Sequence, residues 1–276
     1  MNEKEKYGSR NSSGRIGLVG LPLDIHSSYA FGPAKAPAII RKALNCSSTN
    51  TWCESNVDSA DILEDRGDLH LEAEDPLEAI RLAIDKMIRA GFRPLSLGGD
   101  HSVTLPILRA LQTRWTRPAI LHLDAHSDLY DTLNGNRYSH ACPFARIMEE
   151  KLASRLVQAG IRTLNRHQRE QALRFEAEIH EMKDWNGVPA LRFDGPLYIS
   201  LDMDVLDPAF APGVSHPEPG GLSTREVIRI IQSVEAPVIV GADLVEYNPE
   251  FDFQEITARA AAKLVKELAA RMAARY

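Results

Sequence analysis

Short apolar runs recur along the chain, and each is followed by a loop and then by a helical pattern. Most of these runs are continuous rather than alternating, which is typical of strands covered on both faces of a sheet. Strands that alternate with helices predict an α/β fold around a mainly parallel sheet. The predicted strands cover residues 16–23, 94–99, 119–126, 156–162, 197–204 and 237–246.

Helix start signals stand in front of several amphipathic stretches. Asp75 and Glu78 surround a proline at the start of one such stretch, a pattern that favours an N-cap. Ser223 and Glu226 have the spacing of a capping box ahead of a second stretch. Residues 256–276 are rich in alanine, leucine and lysine and contain no helix breaker, so they predict a long terminal helix.

The length of 276 residues fits one large α/β domain, and no linker or internal repeat divides it. Residues 1–14 are polar and predict a disordered tail, so we expect a single domain over residues 15–276. The polar stretch 45–74 predicts an irregular excursion on the surface of that domain.

The composition is that of an ordinary globular protein, with 44% hydrophobic residues and a formal net charge of −6. Neither nucleic acid nor a membrane is expected as a partner, because the charge is negative and no apolar run reaches the ~20 residues that span a bilayer. Cys46, Cys53 and Cys142 form no C-x-x-C motif and favour a reducing compartment. With no apolar stretch of signal-peptide type at the start, we expect a cytoplasmic protein.

Acidic and imidazole side chains gather where four of the predicted strands end. Ligands bind beyond the carboxyl ends of parallel strands, so these side chains should meet at one edge of the sheet. They are Asp100 and His101 in "LSLGGDHS", Asp124, His126 and Asp128 in "LHLDAHSD", Asp202 and Asp204 in "SLDMD", and Asp243 and Glu246 in "GADLVE".

Each of these motifs is weak alone, because a GGDH sequence can be a tight turn and a D-x-D pair can be a helix cap or a solvated loop. If four of these carboxylates and the two imidazoles meet in the interior, their negative charge requires cations. The oxygen-rich set suits Mn²⁺, and six ligands are too many for one tetrahedral Zn²⁺. Two such ions could activate a water molecule for attack on carbon or phosphorus.

The segments "GGDHS", "LDAHSDLYD", "YSHACPFARIME", "SLDMDVLDPAFAPGVSHPEPGGLS" and "GADLVEYNP" resemble the ureohydrolase family of arginases and agmatinases. The match runs from about residue 16 to the C-terminus and is closest to plant-type arginases. The resemblance implies a three-layer αβα sandwich and a hydrolase of linear amidines that releases urea from a guanidino group. Its favoured reaction is L-arginine to L-ornithine and urea.

The resemblance also implies a ligand set for two Mn²⁺ ions. One ion would be held by His101, Asp124, Asp128 and Asp202, and the other by Asp124, His126, Asp202 and Asp204. Asp124 and Asp202 would bridge the two ions.

Further roles follow from the resemblance. His140 matches a histidine that shuttles protons, Glu246 a carboxylate that holds the guanidinium, and Asp128 a group that can pass a proton to the leaving amine. The loop between Asp128 and His140 would contact the far end of the substrate, with Asn136 and Ser139 as donors. Family members are usually trimers or hexamers, so we expect a homo-oligomer that takes a small guanidino substrate.

Several alternatives stay open at the level of sequence. Agmatinase is the nearest, and other guanidino-acid hydrolases share the same metal signature. A deacetylase-like enzyme would hold one Zn²⁺, a binding protein would hold ions without releasing urea, and a phosphoesterase is conceivable from two metals alone. The role of His216, and of Arg137, is not decided by the sequence.

Overall fold

Eight parallel strands form one central sheet in the computed structural model, which describes residues 15–187 and 190–274. The predicted tail at residues 1–14 lies outside the described residues. The strands are β1 (Arg15–Leu21), β2 (Leu63–Asp68), β3 (Phe92–Gly98), β4 (Ala119–Leu123), β5 (Leu156–Ile161), β6 (Glu178–Glu181), β7 (Pro196–Asp202) and β8 (Val238–Val245).

The strand order is β2-β1-β3-β8-β7-β4-β5-β6, and every neighbouring pair is parallel. The four strands β3, β8, β7 and β4 are therefore adjacent at the centre of the sheet. Their carboxyl ends share one edge, which is where the sequence concentrates its acidic and imidazole residues.

Helices cover both faces of the sheet and give the three layers that were expected. Helices α1, α7 and α8 pack with one hydrophobic cluster, and α3, α4, α5 and α6 pack with the cluster on the opposite face. The helices are α1 (Ala36–Leu44), α2 (Ser59–Ile62), α3 (Pro76–Arg89), α4 (Thr104–Leu111), α5 (Pro143–Glu149), α6 (Arg166–Arg174), α7 (Thr224–Ser233) and α8 (Ile256–Ala273).

The predicted helix signals are confirmed. The Asp75 side chain accepts a hydrogen bond from the backbone N–H of Glu78 at 3.0 Å. Ser223 and Glu226 form a reciprocal capping box at the start of α7. The terminal helix α8 spans 18 residues. No helix in the two described ranges is long and apolar enough to cross a membrane.

Two edge strands were missed, and the prediction of irregular structure at 45–74 was wrong in part. That stretch contains α2 and the edge strand β2, whose sequence LEDRGD has no apolar run and is mostly exposed. The opposite edge strand β6 reads EIHE. A strand at an edge is stabilised by backbone pairing with one neighbour and need not be apolar, so its sequence carries no strong signal.

Candidate active site

The candidate site begins where the four central strands end. The predicted strand 119–126 stops earlier, at Leu123, so Asp124 and His126 lie with Asp128 in the loop beyond β4 rather than in the strand. Likewise β7 ends at Asp202, and a 3-10 turn begins immediately after it. The chain therefore leaves the sheet at each cluster, which frees the side chains to converge.

At the end of β3, two glycines allow the chain to turn sharply toward the site. A Cβ on Gly99 would lie 1.7 Å from the carbonyl oxygen of Leu23, so any other residue there would have to displace the Leu23 backbone. Asp100 then caps the 3-10 turn His101–Val103 through the backbone N–H of Ser102. This local structure fixes His101 in the interior, where it is fully buried.

Two site residues have left-handed backbones, although neither is glycine. The φ angles are 49° at Asp128 and 61° at Glu246. Such conformations are uncommon for residues with a Cβ and concentrate at functional sites. The backbone N–H of Glu246 donates to the carbonyl of Gly99 at 2.9 Å, which ties the end of β8 to the end of β3.

Three carboxylates surround one nitrogen of His101. Its Nδ1 lies 3.3 Å from Asp124 Oδ2, 3.0 Å from Asp128 Oδ2 and 3.2 Å from Asp202 Oδ2. All four side chains are buried. None of these contacts has the direction of a hydrogen bond, so Nδ1 is a buried nitrogen without a hydrogen-bond partner.

A second group forms around His126. Its Nδ1 lies 2.9 Å from Asp204 Oδ2 and 3.5 Å from Asp124 Oδ1. The two groups thus share Asp124, which presents one oxygen to each histidine. The backbone N–H of Ala125 donates to Asp204 Oδ1 at 3.0 Å and holds that carboxylate in place.

A buried histidine that the sequence analysis did not assign orients Asp124. His122 Nε2 lies 2.7 Å from Asp124 Oδ2, and His122 Nδ1 lies 2.8 Å from the Gln158 amide nitrogen. Because the amide nitrogen can only donate, His122 must carry its proton on Nε2 and donate it to Asp124. His122 is therefore engaged in hydrogen bonds rather than free to ligate a cation.

The protonation of the cluster shows an excess of negative charge. Burial, followed by the charges of Asp204 and Asp124, raises the pKa of Asp202 well above its ordinary value. Burial opposes the charged form of His101, but the three carboxylates around it raise its pKa well above 6.5. The proton is thus favoured on Asp202 and on His101, the behaviour of a site whose negative charge attracts cations.

The residues present fit divalent metal ions. Four carboxylates and two imidazoles converge in the interior, and Asp124, His126 and Asp204 present ligand atoms close enough together to hold an ion. A second group, His101, His122 and Asp124, includes the hydrogen-bonded His122, so His101 and Asp124 are its available ligands. The buried, unpartnered Nδ1 of His101 faces carboxylate oxygens, an arrangement that a cation between them would satisfy.

The cluster opens into a cavity of about 210 Å³. His140 and Glu246 stand in it as a pair, with His140 Nδ1 3.2 Å from Glu246 Oε1. Burial opposes ionisation of both, but their attraction raises the pKa of His140 to about 9 and lowers that of Glu246. The remaining lining is Ser28, His126, Asp128, Tyr130, Leu133, Ala141, Thr163, Gln168, Asp202, Asp204 and His216.

His216 belongs to this cavity. Its ring stacks on His140 with centroids 4.9 Å apart and an interplanar angle of 25°. Ser28 links the two, with its Oγ 2.8 Å from His140 Nε2 and 3.5 Å from His216 Nε2. His216 therefore packs against the predicted proton-shuttling histidine.

The two loop residues that we expected to contact the far end of the substrate, Asn136 and Ser139, do not line the cavity. Asn136 hydrogen-bonds within its own region, with Nδ2 3.2 Å from His26 Nδ1. Ser139 is buried. Arg137, also left open, forms exposed ion pairs with Asp131 and Glu149. Ser28, Thr163 and Gln168 also line the cavity and were not predicted, because isolated polar residues in loops or at the start of a helix carry no motif.

Comparison with known proteins places this geometry in context. The sequence matches the Arginase family model over residues 14–270. It is 46% identical over 278 residues to Arginase 1, mitochondrial, of Arabidopsis thaliana, covering 92% of this chain and 80% of that protein. It is 35% identical to an agmatinase of Serratia proteamaculans, covering 91% and 85%. The solved arginase from Medicago truncatula superposes with a TM-score of 0.89 at 42% identity, covering 94% of this chain and 88% of that one.

The all-parallel αβα fold, the histidine–aspartate cluster and these relatives define a class of α/β enzymes that hydrolyse guanidino groups. Within that class, the chain belongs to the arginase family. The resemblance seen in the sequence is confirmed, as is its closeness to plant arginases.

The expected cytoplasmic location is wrong by the same comparison. The plant relatives from Arabidopsis thaliana, Oryza sativa and Medicago truncatula are named mitochondrial. The inference rested on the lack of a secretory-type apolar stretch and on three cysteines, all of which are free in the structure. Free thiols report only a reducing environment, and that does not distinguish one reducing compartment from another.

Proposed function

We propose that this chain is an arginase that hydrolyses L-arginine to L-ornithine and urea at a centre of two Mn²⁺ ions. The observation that carries the proposal is the ion pair of His140 and Glu246 beside the histidine–aspartate cluster, in one cavity. The plant relatives named arginase, at 43–46% identity, support arginine as the substrate.

The two groups of the cluster divide the proposed ligands. His101 with Asp128 would hold one ion, His126 with Asp204 the other, and Asp124 with Asp202 would serve both. When bound, a pair of divalent ions lowers the pKa of water near them and supplies a nucleophile at neutral pH. The cavity-facing side chains of this chain then bind the substrate and handle its protons.

Glu246 would hold the guanidinium of the substrate. Its lowered pKa keeps it ionised, so it can accept charge-assisted hydrogen bonds from a group that is always positively charged. Its Oε1 already accepts the backbone N–H of His101 at 2.8 Å and faces His140. That leaves Oε2 to turn toward the substrate, with its angle fixed by the two contacts of Oε1.

His140 would supply the second proton, which converts the departed amine to its ammonium form. The raised pKa, about 9, keeps the imidazole charged at neutral pH despite its burial. Asp128 lines the same cavity and would carry a proton from the nucleophile toward the leaving nitrogen. The alkylamine can then depart as a neutral amine rather than as an anion.

Urea release from L-arginine, agmatine and 4-guanidinobutyrate by Mn²⁺-loaded protein tests the proposal. We expect kcat/KM for L-arginine to exceed the other two by at least about 10-fold, since each 1.4 kcal/mol of binding to the far end gives that factor. Equal or greater activity on agmatine would contradict arginine specificity, and no urea from any guanidino compound would contradict the function itself.

Agmatine is the second candidate, and one observation favours it. No lysine or arginine is among the described residues that line the cavity, and the charged His140 is already paired with Glu246, so the α-carboxylate of arginine has no guanidinium or ammonium partner there. Neutral donors such as Ser28 and Thr163 would have to bind that carboxylate. Agmatine lacks the group and would need no such contact.

A further inference from the structure

A fully buried aspartate of β8 has no part in the cavity. Asp243 accepts hydrogen bonds from three hydroxyls: its Oδ2 from Thr104 Oγ1 and from Tyr198 OH, each at 2.7 Å, and its Oδ1 from Ser200 Oγ at 2.7 Å. Only the ionised carboxylate can accept from all of its neighbours, because a protonated one must donate to one of them. Three hydroxyl donors therefore hold a buried negative charge beneath the candidate metal centre.

Ser200 connects that charge to His101. Its Oγ lies 2.9 Å from His101 Nε2. The hydroxyl has one proton, which it donates to Asp243, so its oxygen must accept the hydrogen bond from His101. His101 Nε2 consequently keeps its proton whether the imidazole is neutral or charged, and an incoming cation can displace a proton only from Nδ1.

The hydrogen bonds from His101 through Ser200 to Asp243 determine the direction and protonation of His101 Nδ1, the atom that faces the three carboxylates. With Nε2 held by Ser200, the ring cannot flip or change tautomer without breaking a buried hydrogen bond. The lone pair of Nδ1 stays directed at the space bounded by Asp124, Asp128 and Asp202, whose oxygens lie 3.0–3.3 Å away.

We propose that Asp243, acting through Ser200, is a positioning residue that fixes the tautomer and orientation of His101 for metal binding. The assignment rests on the proposed function, because it requires an ion at His101. Partners that hydrogen-bond a ligating histidine characteristically change metal affinity by about 10–100-fold when they are removed. The effect should fall on the ion next to His101 and spare the ion next to His126, which Ser200 does not contact.

Titration of metal-free protein with Mn²⁺, followed by the electron paramagnetic resonance signal of the free ion, measures the number and affinity of bound ions. The test variants are S200A and D243N. S200A removes the hydroxyl that connects Asp243 to His101, and the amide of D243N can donate a hydrogen bond to Ser200, which reverses the direction of the hydrogen bonds from His101 to residue 243. Two variants are matched controls: S200T retains the hydroxyl, and Y198F removes a different donor to Asp243 while leaving Ser200 and His101 in contact. Circular dichroism and Tm verify that each variant folds.

We expect wild-type protein to bind two ions, and S200A and D243N to weaken one of them about 10–100-fold while the other keeps its affinity. S200T and Y198F should bind both ions as the wild type does. Wild-type affinity for both ions in folded S200A and D243N would overturn this assignment alone. Equal weakening of both ions in all four variants would also overturn it, since that pattern marks a general packing defect. A wild-type chain that takes up no Mn²⁺ would overturn the proposed function as well.

Discussion

At the scale of residues, Glu246 and His140 form a buried ion pair in the cavity. Glu246 stays ionised and His140 stays protonated although both are buried, because each lowers the cost of the other's charge. Glu246 also has a left-handed backbone, a conformation that the surrounding structure must enforce. A carboxylate held in this way is suited to bind a cationic substrate rather than to stabilise the fold.

Replacing Glu246 by glutamine tests that interpretation at the residue scale. Glutamine keeps the shape but loses the charge, and removing one partner of a buried charge pair costs about 2–5 kcal/mol. We expect kcat/KM for urea release to fall by about 10²-fold or more, with Mn²⁺ stoichiometry unchanged. The exposed Glu250, which pairs with Lys35 at the surface, provides the control variant E250Q. Full activity in E246Q would remove Glu246 from the proposed site.

The sequence predicted the residues with repeated, closely spaced chemistry and failed for the isolated ones. His101, Asp124, His126, Asp128, Asp202 and Asp204 converge in the structure because they follow adjacent parallel strands. Ser28 reaches the same cavity from a loop and Gln168 from the first turn of α6, and the placement of both depends on tertiary packing. His122 was read as part of an apolar strand, because nothing in a single sequence shows that its partner would be Gln158, 36 residues away.

At the scale of elements, the candidate site residues lie at the ends of the central strands. The backbone contacts that join these strand ends determine the geometry of the site. Gly99 is the tightest junction: its carbonyl accepts from Glu246 and its N–H donates to Leu21, so β1, β3 and β8 meet there. The core strands were predicted to within a few residues from continuous apolar runs. The edge strands β2 and β6 were not, because backbone pairing at an edge requires no apolar residues.

A methyl group at Gly99 should therefore damage the site more than it would elsewhere. The Cβ of G99A would have to push Leu23 away from 1.7 Å, which displaces the segments that lead to His101 and Glu246. We expect a destabilisation of about 1–3 kcal/mol, the usual cost of overpacking, together with loss of urea release. G195A is the control, because a Cβ at Gly195 meets no atom within 4 Å. Comparable stability and activity in the two variants would argue against this junction.

At the scale of the whole molecule, long-range ion pairs join the loop after α1 to the distant helices. Glu54 receives two hydrogen bonds from Arg225 of α7, at 2.6 and 2.9 Å, and its backbone N–H donates to Glu267 of α8 at 2.9 Å. The hydrogen bonds from Arg225 lower the pKa of Glu54 from 4.5 to about 2. The ionised form is therefore favoured by folding.

The pH dependence of stability tests this contact. A carboxyl whose pKa is lower in the folded chain stabilises it above pH 4.5 and loses that effect as the pH falls toward 2. We expect E54Q to lower the free energy of unfolding of metal-free protein by about 0.5–1 kcal/mol at pH 7, a difference that narrows below pH 4.5. E170Q, which removes the exposed pair with Arg166, should have little effect at any pH. A difference that does not change with pH would mean that the Glu54 charge is not responsible.

The central claim is that two divalent cations occupy the cluster at the carboxyl edge of the sheet. A crystal structure of the protein grown with Mn²⁺, examined by anomalous scattering at the manganese edge, measures this directly. The account predicts two peaks roughly 3.5–4 Å apart, one next to His101 and one next to His126, with Asp124 between them. A single peak, or none, with the aspartates turned toward solvent would contradict it.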